Sequence, residues 1–255
     1  DPNDLTPLDV EAPVEVDALV DAINRFMGRL SHRLDAMQRY IETAAHQLRT
    51  PLTGIAAQIE LLDRARDDHA RTAAAARLRK RTSEAGRLAN QLLSHATVIH
   101  RAEVVKAEPI DLRQVVHYSN ADAALDLAGR DLTVKLNVPK DAVIVLGDLV
   151  ALREALRNLV ENAIKHGAVG RISICVANTE EGPTLAVYDD GPGIAPDDWD
   201  RLLERFVTGA GGGTGLGLAI VADVARAHKA RLLLRNAENG DFGILLVFPR
   251  KDDRR

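Results

Sequence analysis

Residues 41–62 read IETAAHQLRTPLTGIAAQIELL, and their apolar spacing decides the fold of the first half. Ile41, Ala44, Leu48, Leu52, Ile55, Ile59 and Leu62 continue a series that begins at Leu19, Ile23, Phe26, Leu30, Leu34 and Met37. Steps of three and four residues form a heptad seam on one long helix. Ala44, Leu48 and Leu52 give two successive fours, a stutter that locally unwinds a coiled coil. At about 100° per residue, His46 falls on the side opposite the seam and faces solvent. Pro51, just past it, removes a backbone hydrogen bond and predicts a bend. A solvent-facing imidazole beside a bend suits a nucleophile, since a neutral ring nitrogen can attack phosphorus; an ordinary surface histidine fits the same pattern.

The polar run from Arg64 to His69 ends this helix. A second helix follows, with Leu78, Ala85, Leu92 and Ile99 spaced by sevens and Leu88 between them. Two helices with one apolar stripe each cannot enclose a core, whereas two copies of the hairpin can pair as a four-helix bundle. A coiled-coil spacer fits this half equally well by pattern.

Composition limits the function classes. The 255 residues are 46% apolar and 27% charged, with formal net charge -4, which argues against a nucleic-acid binder. The cluster at Arg77 to Arg81 reads as a solvated helix face. Cys175 is the one cysteine, so neither a disulfide nor a thiolate zinc site forms within the chain. No apolar run is long enough to cross a bilayer, and the first residue is aspartate, which together read as an excised piece with no direct membrane contact.

After Glu108-Pro109, which close the second helix, the pattern becomes mixed. Strands are expected at 132–138 and 142–146 with Pro139-Lys140-Asp141 as their turn. Asp148 caps a helix running to about His166. Further strands fall near 171–177 and 184–188, a helix at 216–228, and strands at 231–235 and 243–248. The expected result is an α+β layer with helices on one face of a mixed sheet.

Three segments of this half carry candidate chemistry. Asn158, Asn162 and Lys165 recur at four and three, placing amide oxygens and a lysine on one face, a set suited to Mg²⁺ and phosphate. Asp189-Asp190-Gly191-Pro192-Gly193 follows an apolar strand; its glycines let backbone approach a planar ligand, and its carboxylate can accept from an exocyclic amine. Gly209 to Leu218 is glycine-rich and opens a helix, as phosphate cradles do. The P-loop pattern is absent, and no strand precedes these glycines in the dinucleotide-fold manner.

In order and spacing these segments resemble the sensor histidine kinases. His46-Gln47-Leu-Arg-Thr50-Pro-Leu is similar to the H-box of that family. Asn158 to Asn162 resembles the N-box, Asp189 to Gly193 the first glycine box, Phe206 the F-box, and Gly213-Thr214-Gly215-Leu216-Gly217-Leu218 the second glycine box. Pro7 to about Leu30 resembles the end of a HAMP linker, with residues 31–107 as the dimerisation and phosphotransfer hairpin and 108–255 as a catalytic ATP-binding domain of the Bergerat type.

The resemblance implies that ATP phosphorylates His46, and that a response regulator then receives the phosphoryl group. It implies a homodimer, and a parent protein of the bacterial inner membrane of which this is the cytoplasmic part. By matching positions, Asn162 would bind Mg²⁺, with Asn158, Lys165 and His166 near the phosphates. Asp189, with Gly191 and Gly193, would hold adenine, and Ile194 to Gly213 would form a lid over ATP. Thr50 would place a water for dephosphorylating the regulator. The chain departs from the family at Gln47, where Glu or Asp is usual, and after Phe206, where an arginine is usual; Arg205 is the nearby candidate to offset γ-phosphate charge. A dimeric adaptor that binds ATP without transferring phosphate is the alternative function.

Overall fold

The computed structural model describes residues 6, 14–65, 67–117, 132–208, 214–236 and 240–250. The chain divides into two compact units, Asp1–Ala89 and Asn90–Arg255.

The first unit holds α1 (Val14–Arg64) and most of α2 (Asp68–Val104). The α1 helix runs continuously through Pro51. Asp67 stops the turn between the helices, its carboxylate accepting from the Ala70 amide at 2.7 Å. Tyr40, Ala74 and Leu88 are buried. Much of the seam is not: Phe26 and Leu52 are 59% and 58% exposed, and Leu19, Ile23, Leu34, Met37, Ile41 and Ile59 are exposed too. Of the HAMP-like segment, residues 7–13 lie outside the described residues, and 14–30 form the first turns of α1.

The second unit contains the last turns of α2 and an α/β layer. Its five-stranded sheet has the order β2-β4-β5-β7-β6, with β2 (Thr133–Asn137), β4 (Arg171–Thr179), β5 (Gly182–Asp189), β6 (Arg231–Asn236) and β7 (Phe242–Val247). β2 runs parallel to β4, and the other pairs are antiparallel. β1 (Glu108–Asp111) and β3 (Ile144–Gly147) form a separate antiparallel pair. The hairpin expected across Pro139-Lys140-Asp141 is therefore absent: the two strands flank that turn but belong to different sheets. The second helix ends at Val104, before the Glu108-Pro109 expected to close it, and Pro109 lies in β1 opposite Leu146.

Among its described residues the unit also holds a helical stretch at 112–117 and the helices α3 (Leu149–Asn162), α4 (Pro196–Leu202) and α5 (Gly217–Ala227). Asp148 caps α3 as expected, accepting from the Val150 amide at 3.0 Å. The buried face of α3, Leu152, Leu156 and Leu159, joins Ile220 and Val224 of α5 in the fully buried core with Ile172, Leu185 and Leu246 of the sheet. β4 alternates as a half-buried strand should, with Ile172 and Ile174 buried and Ser173 between them not, whereas β5 and β7 are buried along most of their length. α4 lies inside the segment expected only as a lid; Pro196 at its first turn and Asp197 and Asp198 after it are ordinary start signals.

Candidate active site

The helix that carries the asparagines changes character at its end. α3 stops at Asn162, and residues Ala163–Gly167 continue as a π-helical turn. A π turn fits more residues than an α turn, so the three-residue step from Asn162 to Lys165 no longer keeps both on one face. That corrects the expectation of a single asparagine–lysine face. Lys165 Nζ instead pairs with Glu161 Oε2 at 2.7 Å. His166, in the same turn, has its pKa lowered by burial and by the Lys165 charge.

Asn158 is buried, and its Nδ2 donates to the Glu154 carbonyl at 2.9 Å and to Glu154 Oε1 at 3.0 Å. These bonds turn its Oδ1 toward α5, where a Cβ on Gly217 would sit 3.4 Å from it. The glycine thus lets the start of α5 approach the asparagine.

At the end of β5, Asp189 is 7% exposed. Burial raises its pKa, against the Gly191 amide that donates to Oδ1 at 3.0 Å and favours the charged form. Two glycines make the room. A Cβ on Gly167 would stand 2.3 Å from Asp189 Oδ1, and one on Gly191 would stand 2.0 Å from the Gly167 carbonyl oxygen. Gly193 follows with φ of +73°, a conformation that a side chain would strain. A desolvated carboxylate held between bare backbone segments is equipped to accept from a neutral donor on a flat ligand.

Neighbouring Asp190 does different work. Its carboxylate accepts from the Val169 amide at 2.8 Å and the Gly170 amide at 3.1 Å, which lock the turn beside Gly167. Those backbone bonds outweigh desolvation and lower its pKa. The residue pattern alone did not distinguish it from Asp189; the family resemblance did.

Farther on, Phe206 has φ of +65°, costly for an aromatic residue. Its amide donates to the Gly215 carbonyl at 2.9 Å, and Gly215, at φ of +66°, packs on the backbone of Phe206 and Val207. The F-box residue and the second glycine box are therefore joined backbone to backbone. Leu216 is fully buried, Leu218 is buried, and Thr214 Oγ1 accepts from the Leu216 amide at 3.4 Å. Gly213 lies outside the described residues. Arg205 pairs with Asp223 Oδ2 of α5 at 3.0 Å. Ile194 is half-buried beside Gly193.

In the first unit His46 and Thr50 are exposed and Gln47 is half-buried. The Thr50 hydroxyl turns back toward the His46 carbonyl at 3.5 Å. Pro51 has no amide to offer the Gln47 carbonyl, so the backbone is underbonded directly after the histidine.

Residues 36–98 match the family described as the His Kinase A (phospho-acceptor) domain. Residues 147–252 match the family described as histidine kinase-, DNA gyrase B- and HSP90-like ATPases. The chain belongs to the two-component sensor histidine kinases. It is similar to the sensor protein BasS of Escherichia coli, 33% identical over 240 residues that cover 92% of this chain and 65% of that one. It is similar to the sensor protein QseC of Salmonella typhi, 31% identical over 94% of this chain and 54% of that one. The chain spans about half to two thirds of the length of these curated relatives. Among solved structures, the histidine kinase AdeS of Acinetobacter baumannii shares the fold, with a TM-score of 0.61 at 22% identity over 81% of this chain and 98% of that one.

Among the described residues, no group of three or more His, Cys, Asp or Glu side chains could hold a metal ion. No described helix is long and apolar enough to cross a membrane.

Proposed function

We propose that this chain is the catalytic core of a sensor kinase that transfers the γ-phosphoryl group of ATP to His46 and then to an aspartate of a response regulator. The observation that carries the nucleotide half is Asp189: a buried carboxylate with a raised pKa, bordered by glycines whose missing side chains let the backbone close on it. It suits the adenine amine, with Gly191 and Gly193 shaping the turn beside the base. Asn158 and Asn162 are assigned to the phosphate side, together with Thr214 to Leu218 at the start of α5, and Lys165 and His166 on the π turn are assigned to its edge.

Mg²⁺ fits the donors present. It demands few protein oxygens and keeps its waters and phosphate ligands, so the amide oxygen of Asn162 suffices where no acidic cage exists among the described residues. When bound, the ion offsets phosphate charge.

On the acceptor side, an imidazole nitrogen of His46 attacks the γ-phosphorus, the bond to the β–γ bridging oxygen breaks, and ADP leaves with those electrons. The Gln47 amide oxygen can accept from the other ring N–H and fix the tautomer, but it is a poor base, so the ring proton passes to water. Thr50, four residues on, shares the face of His46 and is placed to hold a water for the reverse task of dephosphorylating the regulator. The exposed seam of α1 supports a homodimer, and the parent protein is assigned to the bacterial inner membrane with this part in the cytoplasm.

Incubation with γ-labelled ATP tests the reading. The wild-type chain should acquire acid-labile, base-stable label, and His46→Ala should bind ATP but acquire none. Label persisting in His46→Ala would move the acceptor elsewhere, and ATP binding without label in the wild type would make the chain an adaptor.

A further inference from the structure

The last turns of α2 reach the edge of the proposed nucleotide site through two side chains one helical turn apart. Gln91 Oε1 accepts from the Thr214 hydroxyl at 2.7 Å. That hydroxyl also takes the Leu216 amide at 3.4 Å, so its direction is fixed at the start of α5. His95 is fully buried, and its Nε2 lies 2.9 Å from Asp223 Oδ2. The same carboxylate oxygen receives Arg205 Nη2 at 3.0 Å, and Arg226 takes the other oxygen at 2.5 Å. Arg205 and Thr214 stand before and after the glycine-rich stretch in sequence, and the Phe206 amide ties their segments together through the Gly215 carbonyl at 2.9 Å. Residues at i and i+4 project from one helix face. One face of α2 thus fastens both the chain segment at Arg205, through Asp223, and the one that begins at Thr214.

We propose that Gln91 and His95 are positioning residues for the nucleotide, so that nucleotide affinity and the seating of the last third of α2 on the ATP-binding layer are coupled. The inference rests on the nucleotide site proposed above. Gln91 acts through Thr214 on the first amides of α5, which a phosphate would meet. His95 acts through Asp223, which holds Arg205 directly before the strained Phe206. Neither residue needs to touch ATP. Coupling of this kind is reciprocal: whatever α2 contributes to binding, the nucleotide returns as tighter seating of α2.

The test uses the whole chain and a non-hydrolysable ATP analogue, with affinity measured calorimetrically. Gln91→Ala and Thr214→Val should each weaken binding by roughly two- to tenfold, the worth of one side-chain hydrogen bond. The double variant should be no weaker than the worse single one, because both remove one interaction. His95→Ala should weaken binding as well. Gln91 is only half-buried and its loss leaves the core intact, so the test survives if His95→Ala does not fold. Amide exchange supplies the readout that a merely structural role would leave unmoved: in the wild type the analogue should slow exchange across residues 91–98, and in Gln91→Ala that protection should shrink. Unchanged or tighter binding in Gln91→Ala and Thr214→Val, additive losses, or exchange at 91–98 indifferent to the analogue would each overturn the inference. A wild-type chain that binds no analogue would instead remove the nucleotide site itself.

Discussion

Asp189 sets stability against function within one side chain. Its raised pKa means that the folded chain binds a proton there more readily than the unfolded chain does. The charged form therefore weakens the nucleotide-free fold at neutral pH, and that cost fades as pH falls through the folded-state value. Asp189→Asn removes the charge but keeps an oxygen for the Gly191 amide. The unliganded variant should unfold at a higher denaturant concentration than the wild type at pH 7, with the gap closing toward low pH. The same variant should bind ATP more weakly by about 1–3 kcal/mol, since the adenine amine loses its acceptor. GTP, which presents a carbonyl at that edge, should lose less; equal losses for both would show that Asp189 does not read the base. Gly167 makes a companion case. A methyl group there would meet the Asp189 carboxylate at 2.3 Å, so Gly167→Ala should displace it and cost about 1–3 kcal/mol in overpacking. ATP affinity and melting temperature would report this together, and an alanine variant indistinguishable from wild type in both would refute it.

Elements are held by carboxylates placed between them. Asp223 of α5 serves His95, Arg205 and Arg226 and, despite the opposing effect of burial, has its pKa lowered to about 2. A depressed carboxyl stabilises the fold above its unfolded value near 3.8, and the contribution is lost as pH falls from about 4 to about 2. Its size follows from that shift as about 2 kcal/mol. Asp223→Asn should therefore be about that much less stable at pH 7, and the difference from wild type should vanish near pH 2; a difference independent of pH would mean that packing, not charge, sets it. Asp148 plays a similar part between helices: it caps α3 and takes Arg101 of α2 at 2.5 Å, and its amide donates to His228 Nε2 at 2.9 Å. The His228 Nδ1–H donates to the Val224 carbonyl at 2.8 Å, which fixes the neutral tautomer. The Asp148 cap was legible in the sequence because it acts within two residues. Gln91–Thr214 and His95–Asp223 were not, because their partners lie 123 and 128 residues apart and nothing local marks them. The same division runs through the strands. Alternation revealed β2 and β3, but the turn between them suggested a hairpin, and the parallel partner of β2 is β4, beyond a whole helix. The π turn at 163–167 escaped because a helical pattern does not announce where its pitch widens. α4 was legible and missed: its proline and two aspartates mark a helix start inside a segment read only as a lid.

At the scale of the whole molecule, the two units solve burial differently. The second encloses a core of its own, with Leu152, Leu156, Ile172, Leu185, Ile220 and Leu246 fully buried. The first leaves Leu19, Phe26, Leu34, Met37, Ile41, Leu52 and Ile59 of α1 open along one seam. Large apolar side chains repeated at heptad spacing gain roughly 1.5–3 kcal/mol each on full burial, and a second copy of the same helix offers a matching stripe. In a two-fold pair each position counts twice, so one charged substitution burdens both helices. Phe26→Glu combined with Ile59→Glu should convert a dimer into a monomer at micromolar concentration, as read by light scattering, while the fold of residues 90–255 and their affinity for ATP remain. His46 is on the opposite side of α1 from the seam, so the histidine itself stays exposed in both states. Loss of label from ATP in the monomer would place the transfer between copies, and label retained would place it within one. If the wild-type chain is already monomeric at that concentration, the seam is not a dimer interface, and the exposed stripe on α1 needs another partner.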